Sequence, residues 1–378
     1  MSQATPALNF SILSSLKEIP EDKWSSLFGK GNPEGYGYHK TLEEAGIREF
    51  SFYYLLGRRG DNIVGIIPLF TMDFSLDTLV GPPLHKIAAK LKPFFTLKVL
   101  FAGSPTTEEF YLGLSSGENL KTFLSEALRN ISCFCRQNKI KGIVFHNLSA
   151  KNNPLAAYLV KNGFFAMETL PTTLLEINAS SLEDYIASLG HNTRKDLRRK
   201  LKKSADSAQL KTQIRDDIDD AAAEVYKLYL NNFSDGDVHF ETLTPEFFRS
   251  IGRNLPGVAK FFLTYDQERI VAFNLCLIKN GLFIDKFIGF DPQVAHAYHL
   301  YFTTFCHNLE WCIKNKIRFY QPGTTDYEPK LRLGAKLVPL YIYVKAFNPL
   351  LHVFLKLIAP IIQPKNLDPT LKKLNTKS

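Results

Sequence analysis

The sequence predicts a protein of the α/β class (mixed α+β). It is built as two tandem domains, and each domain is a mixed sheet flanked by helices. Strand patterns alternate with amphipathic helix patterns along the chain, which is typical of such folds. The same order of elements occurs twice, and a length of 378 residues suits two domains of roughly 150 residues. We predict domains at residues 1–177 and 178–346, and a tail at 347–378 that is apolar and then basic.

The repeat is visible in three successive elements of each half. A strand hairpin is predicted at 51–70 and again at 260–277, and a long amphipathic helix follows at 120–134 and at 297–314. The two helices end in similar sequences, Asn138-Lys139-Ile140-Lys141 and Asn315-Lys316-Ile317-Arg318. Agreement of several elements in the same order indicates a duplicated domain.

The second half contains the more informative series of elements. These are predicted strands at 269–277 and 282–290, the helix at 297–314, a strand at 317–320 and a polar segment at 323–334. This order can place a helix N-terminus and two cations of the polar segment, Lys330 and Arg332, beside one cleft. Such an arrangement suits an anionic ligand.

The polar segment supplies four candidate site residues, Asp326, Tyr327, Lys330 and Arg332, within seven positions. Lys330 could polarise a carbonyl or hold a phosphate, and Arg332 could clamp a phosphate. Asp326 could pair with either cation or accept a proton from an attacking amine. The alternative is the rim of a hairpin that carries an exposed ion pair.

Two further candidates lie just before this segment. Asp285 and Lys286 are charged residues within an apolar strand pattern, and strand alternation sends one of them inward, where a charge needs a partner or a role. His299, near the start of the predicted helix, could act as a base. A structural histidine is the alternative for that position.

A strongly basic helix is predicted at 193–203, with Asn192 or Thr193 as its N-cap. Seven of the ten residues after Thr193 are basic, and Leu197 and Leu201 form a thin apolar edge. Arg194, Arg198 and Arg199 are candidates for phosphate binding, because a guanidinium can grip phosphate with two parallel hydrogen bonds. The alternative is a solvated helix face.

The net charge and the cysteine content limit the classes of partner and the cellular compartment that the sequence favours. The net charge of +9 favours an anionic partner, which could be nucleic acid, a membrane surface or a phosphate-bearing cofactor. The five cysteines are odd in number and lack metal-site spacing, so we interpret them as buried thiols in a reducing compartment, with no metal. Residues 1–20 lack the apolar run of a signal peptide, which favours the cytoplasm.

Two apolar segments, 84–100 and 347–362, contain or adjoin lysines and are too short or too interrupted to span a bilayer comfortably. Both could lie in a membrane interface, which predicts a peripheral position at the inner membrane face. A lipid-linked acceptor would fit this arrangement. The alternative is that both segments pack against the body of the protein.

The second half resembles the GNAT acyltransferase superfamily, in particular the branch of Fem-type aminoacyltransferases and related acetyltransferases, whose members are two GNAT-like domains in tandem. The resemblance covers about residues 50–344. It rests on the basic run 194–203, on Phe287-Ile288-Gly289-Phe290-Asp291 before the long helix, on Tyr327, Lys330, Arg332 and Gly334, and on Ile66-Ile67-Pro68-Leu69 in the first half.

The resemblance implies transfer of an acyl group from acyl-CoA or aminoacyl-tRNA, as a donor substrate and not a permanently bound cofactor, to an amine acceptor such as a cell-envelope precursor. By analogy Lys330 would contact the donor phosphate or carbonyl, and Tyr327 would line the acyl site. The usual pyrophosphate loop is Gln or Arg, two spacers, Gly, one spacer, and Gly or Ala. In Gln293-Val294-Ala295-His296-Ala297-Tyr298 only Gln293 fits this pattern. The sequence therefore leaves open whether CoA binds in the usual way. The alternative is a non-catalytic GNAT-like protein that binds RNA or anionic lipid through its basic helix.

Overall fold

The computed structural model describes residues 6–29, 31–75, 96–149, 153–232 and 241–375. Most of the apolar segment 84–100 therefore lies outside the described residues. The chain forms two compact units, one made of Met1–Lys30, Ile47–Pro171 and Pro339–Ser378, and the other of Gly31–Gly46 and Thr172–Val338. The predicted division at residues 177 and 346 stays a prediction.

The described strands and helices alternate along the chain. The strands are β1 (Leu8–Leu13), β2 (Ser51–Arg59), β3 (Asn62–Ser75), β4 (Thr96–Ala102), β5 (Gly113–Leu114), β6 (Gly142–Ser149), β7 (Phe165–Glu168), β8 (Thr172–Glu176), β9 (Leu210–Arg215), β10 (Ala259–Asp266), β11 (Arg269–Lys279), β12 (Leu282–Phe290), β13 (Phe319–Gln321), β14 (Lys336–Val338) and β15 (Leu340–Ala346). The α-helices are α1 (Glu21–Phe28), α2 (Tyr36–Glu44), α3 (Leu120–Gln137), α4 (Pro154–Lys161), α5 (Leu182–Ser188), α6 (His191–Ser207), α7 (Ala222–Leu230), α8 (Pro245–Asn254), α9 (Leu300–Lys314), α10 (Tyr327–Arg332), α11 (Pro349–Ile358), α12 (Pro364–Leu367) and α13 (Pro369–Asn375).

The sheet of the first unit has the order β1-β2-β3-β4-β6-β15-β7, with β5 added to β3. Strands β4 and β6 are parallel, and β15 from late in the chain inserts antiparallel between β6 and β7. Helix α3 covers this sheet through its buried face, which includes Phe123, Ala127 and Ile131. Gly65 allows the close approach, because a Cβ there would lie 2.3 Å from the Phe123 ring.

The sheet of the second unit has the order β14-β8-β13-β12-β11-β10-β9. Helix α9 packs on it through Phe305, Leu309 and Cys312, which share a core with Phe283 and Tyr320. Helices α5 and α6 contribute to the same core. Two mixed sheets, each flanked by helices, confirm the predicted fold class.

Three local predictions need correction. The polar segment 323–334 contains the short helix α10, in which Pro329 sits in the first turn, where its missing N–H costs nothing. The basic helix is longer than predicted and begins after Gly190, which has no side-chain cap, and not after Asn192 or Thr193. Cys133 is exposed, because it lies two positions before the buried Cys135 and so on the opposite side of α3.

Candidate active site

The candidate site lies where two parallel strands of the second unit separate. Strands β12 and β13 pair only through Leu282–Ile284 and Phe319–Gln321. From Asp285 onward β12 continues beside β11, whereas the chain after Gln321 leaves the sheet in the loop 322–326. Crevices beyond the carboxyl ends of parallel strands are common ligand sites in α/β proteins.

Asp285 stands at the point of separation and accepts several hydrogen bonds. The amide of Asn274 donates to its two carboxylate oxygens at 3.0 and 2.9 Å, and the Tyr320 hydroxyl donates to Oδ2 at 2.8 Å. Asn308 lies 3.5 Å from the same oxygen. Burial raises the pKa of the Asp285 carboxyl, and these donors and the Lys330 charge oppose that rise. The carboxylate is thus partly desolvated but held in one orientation.

Lys330 is buried, with 5% of its surface exposed, and it organises the loop beside Asp285. Its Nζ donates to the carbonyl oxygens of Thr324 and Thr325 at 2.7 and 2.9 Å. Thr325 and Asp326 both have left-handed backbone conformations, with φ of 63° and 43°. Non-glycine residues hold this conformation only where surrounding contacts enforce it, and Lys330 supplies such contacts. A buried lysine excludes the exposed-rim alternative for this residue.

Tyr327 and Asp326 occupy different environments. Tyr327 is 1% exposed and belongs to the interior of α10, whereas the neighbouring Asp326 is exposed on the loop. Only Asp326 of the two is therefore placed to meet a ligand from solvent.

Tyr301, in the first turn of α9, was missed by sequence reasoning. Its hydroxyl is buried and has no hydrogen-bond partner within the described residues. Burial raises the pKa of Tyr301, and the charges of Asp285 and Asp326 raise it further, so the phenol lies near both carboxylates. Tyr301 lies four positions after the predicted helix start at 297, and nothing in the local sequence distinguishes it from an ordinary core aromatic residue. A buried donor without a partner is rare in proteins and points to a functional role.

The basic helix α6 reaches the N-terminus of α9. The Nζ of Lys200 lies 3.6 Å from the centroid of the Phe302 ring, and the hydroxyl of Thr303 bonds that of Ser204 at 3.2 Å. The pKa of His299 is lowered by burial first and then by the charges of Lys203 and Lys200. The N-terminal turn of α9 therefore combines the positive end of a helix dipole with side-chain cations.

Asp196 joins three of these cations in one network. Its carboxylate lies 2.7 Å from Arg199, 2.9 Å from Lys200 and 3.1 Å from Arg332. Hydrogen bonds from Arg199 and Lys200 hold the pKa of the Asp196 carboxyl well below its usual range. Arg332 is thus oriented toward α6, away from Lys330, although the two are close in sequence.

The remaining candidate residues lie elsewhere. Arg194 donates to the carbonyls of Ala187 and Leu189 at 2.8 and 3.2 Å, and Arg198 pairs with Glu183, so both arginines hold α5. Gln293 is exposed and lines a separate cavity of about 620 Å³. The structure therefore brings together Asp285, Asp326, Tyr327 and Lys330 in one group and His299, Arg199 and Arg332 in another.

We predict that Asp196→Asn destabilises the protein by about 1 kcal/mol at neutral pH and by much less in acid. The folded pKa of Asp196 is depressed, so its contribution is present above the ordinary value of 3.8 and is lost as pH falls through the folded pKa. Urea unfolding at both pH values measures the difference. Asp206→Asn, on the exposed surface of the same helix, is the matched control and should leave stability unchanged. Equal loss in both variants would contradict a network at Asp196.

Two features are absent from the described ranges. Over residues 6–375, apart from the gaps noted above, no helix has the length and apolar character needed to cross a bilayer. The same residues contain no group of three or more His, Cys, Asp or Glu side chains placed to hold a metal ion.

Solved structures share this fold at low sequence identity. The crystal structure of FemX has a TM-score of 0.53 at 12% identity, over 92% of this chain and 100% of that chain. The C-terminal domain of a putative lysylphosphatidylglycerol synthetase from Agrobacterium fabrum has a TM-score of 0.52 at 12% identity, covering 93% and 99%. A tandem GNAT protein from the clavulanic acid biosynthesis pathway has a TM-score of 0.52 at 12% identity, covering 91% and 99%. These similarities confirm the predicted tandem GNAT-like fold.

Sequence comparison gives the family. No functionally curated protein matches the chain significantly. A family model described as FemAB-like, peptidoglycan biosynthesis/recognition, matches residues 15–341, which is most of the chain. The predicted resemblance to the Fem branch is confirmed, and the chain belongs to the FemAB-like family.

Proposed function

We propose that this protein is an N-acyltransferase that moves an acyl or aminoacyl group from a phosphate-bearing carrier to an amine of a cell-envelope precursor. Family membership and the GNAT-like fold support an acyltransferase-type role in cell-envelope biosynthesis. The observation that carries the finer proposal is Asp285. It is a partly desolvated carboxylate, held by three neighbouring side chains, at the crevice where β12 and β13 separate.

In the proposed reaction the acceptor amine attacks the carbonyl carbon of the donor ester or thioester. A C–N bond forms, the C–O or C–S bond to the carrier breaks, and the amine loses a proton. Asp285 is the group we assign to take up that proton, because burial raises its pKa toward the range of a useful base. The unpartnered hydroxyl of Tyr301 is the group we assign to donate to the carbonyl oxygen or the leaving group.

Lys330, Asp326 and Tyr327 take supporting roles in this proposal. Lys330 fixes the loop 324–326 and places a positive charge near Asp285, which favours the carboxylate form. Asp326 lies on the exposed side of that loop, where it can meet the ammonium form of the acceptor. Positioning of this kind is the main means by which GNAT-like sites accelerate transfer.

The basic face of α6 is the part we assign to the donor's phosphates, together with His299 and Arg332. Lys195, Lys202 and Lys203 are exposed on a helix of 17 residues, which rises about 25 Å. Cations spread over such a length suit a polyanion better than a single pyrophosphate. Aminoacyl-tRNA is therefore the donor that the charge distribution favours, and acyl-CoA is the alternative.

The edge of β12 also bears on the choice of donor. The carbonyl oxygens of Ile288 and Phe290 already accept hydrogen bonds from the side chains of Asn232 and Asn231. These backbone groups are less available to an extended thioester arm. The loop before α9 also lacks the glycines that let a backbone approach a pyrophosphate.

We predict that Arg199→Glu/Lys203→Glu weakens binding of aminoacyl-tRNA at least tenfold and lowers the slope of log affinity against log salt by about 2. Fluorescence anisotropy with labelled aminoacyl-tRNA and with acyl-CoA, over a salt series, measures both quantities. The matched control is Lys121→Glu/Arg129→Glu on α3, since Arg129 is 75% exposed and Arg199 is 69% exposed, and each pairs with an acid three positions away. Equal losses in the two double variants would contradict a donor site on α6.

Transfer itself is tested with the same donors carrying a radioactive acyl group and a lipid-linked peptidoglycan precursor as acceptor. Label should move to the acceptor amine in the presence of wild-type protein. Binding of RNA or anionic vesicles through α6 without transfer would favour the non-catalytic alternative. We expect the reaction on the cytoplasmic face of the membrane, where charged tRNA is present.

A further inference from the structure

Helix α11 of the first unit exposes a row of large apolar side chains. The exposed fractions are 82% for Leu350, 54% for Val353, 55% for Phe354, 69% for Leu357 and 68% for Ile361 just beyond the helix. Positions three and four apart lie on one face of a helix, so these five form a continuous surface. Of eleven large apolar side chains exposed within the described residues, five belong to this surface, which is far from random scatter.

The opposite face of α11 is fully engaged. Leu355 and Ala359 pack with Phe165 and Met167 of β7, and His352 accepts a hydrogen bond from the backbone N–H of Ala346 at 3.3 Å. The helix is therefore fixed on the sheet of its own unit. The exposed apolar row is therefore not a core face that has been displaced, because the helix already packs through its opposite face.

We propose that this outward face docks on an anionic membrane surface. Residues 347–378 contain five lysines and a single acid, Asp368, and the helix itself has no acidic residue. Lys356 is exposed beside the apolar row, where its chain can extend to a lipid headgroup. Ten residues rise about 15 Å, half the thickness of a hydrocarbon core, so the helix would lie in the plane of the interface.

A small apolar pocket beside α11 supports a lipid as the occupant. It has a volume of about 100 Å³, and its walls include Phe74, Leu97 and Leu355 together with Lys141 and Lys345. The surface of this recess is apolar, and the Nζ of Lys345 donates to the carbonyl oxygen of Asn162 at 2.9 Å, so the recess matches part of an acyl chain and not a charged headgroup. A second protein copy would explain the apolar row but gives no reason for the excess of lysines over acids in residues 347–378.

The test is sedimentation of the full-length protein with vesicles of phosphatidylcholine that contain about one third phosphatidylglycerol. The wild-type protein should partition onto them, and less onto pure phosphatidylcholine. Val353→Glu/Leu357→Glu should partition at least tenfold less, because withdrawing even one such side chain from the interface costs about that factor. Val160→Glu on α4 replaces a valine with the same 54% exposure as Val353 and should partition like the wild type.

Several results would overturn the inference. One is a wild-type protein that stays off the vesicles, and another is a double variant that partitions as the wild type does. A third is a wild-type dimer in solution that the double variant converts to monomers while vesicle binding is absent, since the face would then bind a second copy. The inference does not depend on the transfer reaction, so failure of either proposal leaves the other standing.

Discussion

Asp285→Asn should lower the rate of acyl transfer by about 10²–10⁴-fold while leaving the fold intact. The amide of asparagine has nearly the size of the carboxylate but cannot take a proton from an attacking amine. Burial raises the pKa of Asp285, so the native carboxyl is most stabilising below the unfolded value of 3.8, and its contribution is lost as pH rises through the folded pKa. Loss of the charge in the asparagine variant should therefore not reduce stability at neutral pH.

The pH profile separates a base from a merely structural carboxylate. If Asp285 accepts the proton, kcat/KM falls as pH drops through its folded pKa, which lies above 3.8. Tyr320→Phe removes a donor that lowers this pKa, so the acid limb of the profile should move to higher pH in that variant. Measurement of kcat/KM against pH with aminoacyl-tRNA as donor decides between the roles. Transfer within threefold of wild type in Asp285→Asn would remove Asp285 from the chemistry.

Periodicity predicted the elements of this fold because each depends on local sequence. The hairpins, the long helices and the basic helix were all predicted within a few residues of their bounds, since apolar spacing reports the face that a single element buries. The insertion of β15 between β6 and β7 has no local signal. Its alternating pattern fits either sheet, and only long-range pairing decides between them.

The candidate site was partly visible for the same reason. Asp285 and Lys330 could be found because a charge in an apolar strand, or a cation near a glycine, is a local anomaly. Asn274, Asn308 and Tyr320, which hold Asp285, lie 11, 23 and 35 positions away and are ordinary residues in their own elements. Only the folded chain brings these three side chains together around Asp285.

The prediction for strand β12 was incomplete in one respect. Alternation was expected to bury one of Asp285 and Lys286, but the structure buries Lys286 almost fully and Asp285 in part. The pairing of β12 with β11 skips Lys286, so simple alternation is broken at this bulge, and each of the two charges needs its own compensation. Asp285 is compensated by amide and hydroxyl donors, and Lys286 by a carboxylate that is far away in sequence.

That carboxylate is Glu34, and Glu34→Gln should destabilise the protein by about 3–5 kcal/mol. The Lys286 ammonium lies 2.6 Å from Glu34, and each side chain is only 2% exposed. Its Nζ also lies 5.6 Å from the Tyr38 ring centroid. Removing the negative charge takes a 2.6 Å ion pair away from a buried ammonium, which costs far more than the loss of an exposed pair.

The pair also connects the segment 31–46, which belongs to the second unit, to the strand that bears Asp285. Urea unfolding followed by fluorescence of Trp311, which contacts Phe262 and Phe283 in the same unit, measures the effect. The control is Glu310→Gln, since Glu310 and Lys314 are 42% and 69% exposed, and it should cost less than about 0.5 kcal/mol. In Glu34→Gln/Lys286→Met both charges are absent, so this double variant should lose less stability than the two single changes added together. If the losses in unfolding free energy of the two single variants simply add, the two charges do not interact. The position of segment 31–46 would then depend on the packing of α2 instead.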